Sequence, residues 1–75
     1  PSRKKELVQA RQIAIYLARE LTETSFPALG RSFGGRDHTT IMHSYQKMQE
    51  LLRQIPLLRS EIESLRATIL KKYGP

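Results

Sequence analysis

The stretch FGGRDHTTIMHSYQK, residues 33 to 47, holds both histidines of the chain, two adjacent glycines and several hydroxyl side chains beside an apolar run. Four kinds of chemistry are open to Arg36, Asp37, His38, Thr39 and Thr40: metal ligation, catalysis, contact with a ligand, or the capping of a helix. Metal ligation fits poorly. His38 and His43 stand five positions apart, about 140° around a helix, whereas histidines that share a metal on one helix usually stand three or four apart. Asp37 is adjacent to His38, so the two diverge by about 100° on a helix, and no cysteine is present to complete a site. Catalysis fits no better. A nucleophile, base and orienting acid need a sheltered cleft, which four short helices scarcely provide. The run GRSFGG also lacks the order of a phosphate-binding loop and follows no strand. No enzyme, cofactor, metal or small-molecule substrate is expected.

Capping explains Asp37, a good N-cap whose carboxylate suits the positive end of a helix dipole. It leaves the varied hydrogen-bonding ability of its neighbours unused. Contact with DNA uses all of them, because the first turn of a recognition helix reaches base edges in the major groove. There an aspartate accepts from a cytosine amino group, a histidine bonds a purine, and a threonine bonds a base or packs its methyl on a thymine methyl. Arg36, just before the helix, can reach a phosphate or a guanine. His43 and Lys47, four apart and clear of the apolar stripe, can track a phosphate strand.

Composition sets the frame for these residues. Seventy-five residues make one small domain, and without cysteine no disulfide or thiolate–zinc site staples it. No apolar run approaches the roughly 20 residues of a membrane span, and no signal-peptide core is seen. The chain runs from Pro1 to Pro75 and reads as a soluble, cytoplasmic domain cut from a longer protein. Thirteen Lys and Arg against seven Asp and Glu give a net charge of +6 and a pI near 10.2, which favours polyanions: nucleic acid first, an anionic membrane second. The charge is spread along the chain, so particular residues must carry the argument.

No segment alternates with period two, and the expected fold is all-α with about four helices. Leu7, Ala10, Ile13, Ala14, Leu17 and Leu21 recur at helical steps and predict a first helix over about Lys4 to Leu21, with Ser2 as its cap. A second, short helix is expected over 26–33, capped by Thr24 or Ser25, with Pro27 in the first turn and Ala28, Leu29 and Phe33 as its apolar face. Gly34 and Gly35 end it. Asp37 starts a third helix with the stripe Ile41, Tyr45, Met48 and Leu52, which Pro56 stops near Gln54 or Ile55. A fourth carries Leu58, Ile62, Leu65 and Ile69, with Lys71 and Lys72 near its end and Gly74 after it. Short helix, glycine turn and longer helix with a polar start follow the order of a helix-turn-helix, here over about 26–53.

FGGRDHTTIMHSYQKM, with ARQIAIYLAREL upstream, closely resembles the C-terminal DNA-binding domain of the bacterial replication initiator DnaA family. The run RDHTT after paired glycines is that family's signature; the resemblance covers about residues 2–55, and the expected domain is 1–75. It implies a helix-turn-helix that binds double-stranded DnaA boxes, sites resembling TTATNCACA, at the replication origin. It puts Asp37, His38 and Thr39 on bases, Thr40 on base methyls or phosphate, and Pro27 on a thymine methyl. Arg3, in the basic segment SRKK, corresponds to an arm in the minor groove. Lys5, Arg11, Gln12, Arg19, Arg36, His43 and Lys47 correspond to positions on or near the sugar-phosphate backbone. A single asymmetric site needs no dimer, so a monomer is expected. The resemblance implies a further helix before the basic segment, expected to be absent from this chain, and ATP is expected only on the AAA+ domain of the parent initiator. Whole initiators of the family are also associated with acidic phospholipids. The competing class is a basic helical adaptor or acidic-phospholipid-binding domain without sequence-specific DNA recognition, whose basic faces meet acidic lipid or an acidic protein.

Overall fold

Three breaks divide an otherwise helical chain, and each has a local cause. The computed structural model describes residues 2–74 and contains α1 (Ser2–Thr22), α2 (Phe26–Ser32), α3 (His38–Gln54) and α4 (Pro56–Tyr73), with no strand among the described residues. The fold is all-α, as the periodicity predicts. The cap expected of Ser2 concerns a side chain outside those described. No helix is long and apolar enough to cross a membrane among the described residues.

The first break is made by Glu23, which takes a left-handed φ of 55° and donates its N–H to the Arg19 carbonyl at 2.9 Å. That closes α1 with a conformation usually left to glycine or asparagine. Ser25, rather than Thr24, then caps α2: its Oγ accepts from the Ala28 N–H at 3.2 Å. Pro27 stands in the first turn, where its missing N–H leaves no helical bond unmade. At the second break Phe33 N–H reaches the Leu29 carbonyl at 2.9 Å, and Gly34 and Gly35 turn the chain with φ of 86° and 72°. Such angles strain any residue with a Cβ. The third break is the Ile55–Pro56 step: Ile55 is extended, and Pro56 opens α4 at once.

The core has two parts. Under the start of α3, Ile15, Leu29 and Ile41 are buried together, flanked by Ala18, Phe26, Phe33 and Tyr45. Under its second half, Leu17, Met48, Leu52 and Ile62 form the other cluster, with Ile13, Leu21, Leu58 and Ile69 against it. The stripe expected on α3 is therefore the one that packs. On α1 the expectation needs correction: Leu7, Ala10 and Ala14 are exposed, whereas Ile15, off that stripe, is 1% exposed. Residues 13–18 are almost continuously apolar, so α1 feeds both clusters from two sides, and a single stripe describes only one of them. On α4, Leu65 is likewise exposed while Ile62 is buried.

Candidate nucleic-acid interface

The approach of α2 to the start of α3 is set by one small residue. Gly30 is buried, and its carbonyl accepts the Arg36 N–H at 2.8 Å. A Cβ on Gly30 would lie 2.2 Å from the Arg36 carbonyl oxygen, so the two backbones meet where only glycine fits. This contact holds the turn against α2 and delivers Asp37 to its capping position. The Asp37 carboxylate accepts the Thr39 N–H at 3.0 Å, and the Asp37 carbonyl accepts the Ile41 N–H at 3.2 Å. Arg36, Asp37, His38, Thr39 and Thr40 are all exposed, while the next residue, Ile41, is 0% exposed. Ile41 thus anchors the first turn of α3, and the side chains before it project outwards. His38 Nδ1 lies 3.9 Å from Asp37 Oδ1, close enough to bias the ring without fixing it.

The Asp37 carboxyl is held below its ordinary value of 3.8, chiefly by the Thr39 backbone N–H, then by the Thr39 side chain and by the neighbouring His38. A carboxyl lowered in the folded state stabilises that state above its unfolded pKa, and the contribution is lost as pH falls through the lowered value. Asp37→Ala is therefore expected to lower the melting temperature at neutral pH. The gap between variant and parent should close in acid below the ordinary carboxylate range. Thermal melts of both proteins from pH 7 to pH 2.5 check this, and a gap that stays constant with pH would remove the cap from the account.

Farther along α3 the structure brings three of the expected backbone residues together. Lys5 and Gln12 of α1 and Lys47 of α3 line one hollow, floored by Val8, Met48 and Leu51. His43, one turn before Lys47, is exposed, as are Pro27 and Arg3; Arg11 is half-buried. Arg3 and Lys5 do not form an irregular arm. Both stand in the opening turns of α1, because nothing from Ser2 to Thr22 breaks the helix. Among the described residues no three His, Cys, Asp or Glu side chains converge as a metal would need.

Arg19 stands apart from the other expected backbone contacts. Its Nη1 donates to the Thr24 carbonyl at 2.7 Å, and its guanidinium lies 4.5 Å from the centre of the Phe26 ring. Beside it, Glu20 accepts the Tyr45 hydroxyl. The sequence pattern singles out neither this pair nor Gly30. A glycine inside a short helix was the available signal for Gly30; the Glu20–Tyr45 bond spans 25 positions and has no local signature.

A short scaffold helix, a glycine turn, and a longer helix with an exposed, capped, polar first turn define a helix-turn-helix domain of the DNA-binding type. The family described as bacterial dnaA protein helix-turn-helix matches residues 1–48, and the chain belongs to that family. Among its relatives is the chromosomal replication initiator protein DnaA of Levilactobacillus brevis, 55% identical over 85% of this chain and 14% of that protein. The proteins of the same name from Streptococcus agalactiae and Streptococcus thermophilus are each 48% identical over 89% of this chain and 15% of their own length. The chain thus spans about one seventh of these relatives. No solved structure matches it significantly.

Proposed function

We propose that this domain binds double-stranded DNA sequence-specifically, at DnaA boxes, and so serves the initiation of chromosome replication. The observation that carries the reading is the first turn of α3. Asp37, His38, Thr39 and Thr40 are exposed together on a turn pinned by the buried Ile41 and by the Gly30–Arg36 backbone contact. In this reading His38, Thr39 and Asp37 meet base edges in the major groove, Thr40 a base methyl or phosphate, and Pro27 a thymine methyl. Lys5, Arg11, Gln12, Arg36, His43 and Lys47 meet the backbone. Arg3 enters the adjacent minor groove from the first turn of α1. The net charge of +6 supplies the long-range attraction. One copy suffices for one asymmetric box. ATP binding is assigned to other parts of the parent initiator.

Lys47 and Arg11 provide the test of the backbone side. Each phosphate neutralised by a protein cation releases counterions, so replacing either residue by Ala should weaken all duplexes alike. The slope of log K against log salt should fall by about one unit for each. Fluorescence anisotropy titrations with a box and a scrambled duplex at several salt concentrations measure both quantities. A loss confined to the box would instead make these side chains readers of sequence.

A further inference from the structure

Two consecutive residues of α1 reach two different helices of the helix-turn-helix. Arg19 ties down the entry to α2 through the Thr24 carbonyl, at 2.7 Å, and covers the Phe26 ring at 4.5 Å. Glu20 holds the hydroxyl of Tyr45, in the middle of α3. Between them the Tyr45 ring stacks on Tyr16, with centroids 5.4 Å apart and planes at 22°, and meets Phe26 at 5.6 Å and 60°. All five side chains are half-buried. Burial first, and then the bond to Glu20, push the Tyr45 hydroxyl up to about 12, so it remains a donor at any ordinary pH.

We infer that Arg19 and Glu20 are positioning residues: with Phe26 and Tyr45 they form a strut from α1 that fixes the angle between α2 and α3, and so set sequence discrimination without touching DNA. This rests on the DNA-binding reading above. The geometry shows why the effect is large. Tyr45 lies seven residues from His38, about 10 Å along the helix axis. A tilt of about 10° at Tyr45 therefore moves the first turn of α3 by about 2 Å, far beyond what a hydrogen bond to a base edge tolerates. The Arg19 guanidinium is also turned toward Thr24 and Phe26, with Nη1 engaged by the Thr24 carbonyl.

Salt dependence separates a strut from a phosphate contact. In titrations of box and scrambled duplexes, Tyr45→Phe and Arg19→Gln are expected to lower the box-to-scrambled affinity ratio about 5-fold, with the salt slope unchanged. Tyr45→Phe keeps the ring stack and removes only the hydroxyl, so it tests the strut without emptying the core. Ile69→Ala, which weakens the other cluster from α4, should cost stability and leave the ratio intact. A slope lowered by about one unit in Arg19→Gln would make Arg19 a phosphate ligand and overturn the inference. An equal loss of ratio in Ile69→Ala would overturn it as well, by tracing the effect to general stability. Residual dipolar couplings of the free protein read the α2–α3 angle directly and should change in both strut variants. An unchanged angle overturns the strut whatever happens on DNA. A parent that binds both duplexes alike overturns the box reading instead, and the angle then decides the strut alone.

Discussion

Gly30→Ala is expected to destabilise the domain by about 3 kcal/mol, near the top of the range for a group forced into filled space. The added Cβ would sit 2.2 Å from the Arg36 carbonyl oxygen and 3.3 Å from its carbon. That neighbour is backbone and cannot rotate away as a side chain would. Relief requires the turn to lift off α2, which breaks the 2.8 Å bond from Arg36 N–H to the Gly30 carbonyl and shifts the Asp37 cap. A domain of this size holds only about 4–11 kcal/mol in total, so the loss is a large share. It corresponds to a fall in melting temperature of about 12–24 °C. Gly34→Ala makes the useful contrast. Its φ of 86° strains an alanine, but no atom lies within 4 Å of the new Cβ, so it should cost only about 1–2 kcal/mol. Circular-dichroism melts of the two variants check the order. A Gly30→Ala protein that melts with the parent would mean that α2 and the turn do not meet as described.

His38→Ala and Thr39→Ala are each expected to weaken box binding by about 1–3 kcal/mol and to relax preference at the base each contacts. Both side chains are exposed in the free protein, so neither truncation opens a cavity, and the capping bond from the residue 39 backbone N–H to Asp37 is kept. The loss therefore belongs to the complex. Binding to unrelated duplexes rests on the charge of the domain and should change little. Titrations against the box and against boxes altered one base pair at a time separate these effects. Variants that discriminate as well as the parent would take the first turn of α3 out of the major groove.

Much of this arrangement is legible in the residues themselves. Two of the three breaks carry plain local chemistry: the paired glycines and Asp37 before α3, and Pro56 after it; the first is closed by Glu23 at a left-handed φ of 55°, which its residue type does not announce. The α3 stripe of Ile41, Tyr45, Met48 and Leu52 reads directly because one side of that helix packs and the other meets solvent. What resists reading is long-range. Ile15 is hidden in an apolar run where several stripes can be drawn, and only the position of α2 decides that its face is buried. Leu7, Ala10 and Ala14 fit a helical stripe equally well, yet no element of the described fold covers them. Gly30 resembles any small helical residue until the backbone of Arg36 arrives beside it. Arg19, a candidate backbone contact by resemblance, meets an aromatic ring seven positions on and a carbonyl just past the left-handed Glu23. Ser25 and Thr24 are equivalent as caps by type, and only the path of the chain out of α1 selects Ser25.

The proposed function requires this domain to read sequence rather than charge. Its most direct test is a titration of the unaltered 75-residue domain with two duplexes of equal length and base composition, one a DnaA box and one a scrambled order, in rising salt. Binding to the box is expected to be at least about 100-fold tighter, with both affinities falling as salt rises and the preference persisting. Equal affinities at every salt concentration, matched by salt-sensitive binding to acidic liposomes, would contradict it and leave a basic adaptor surface in its place.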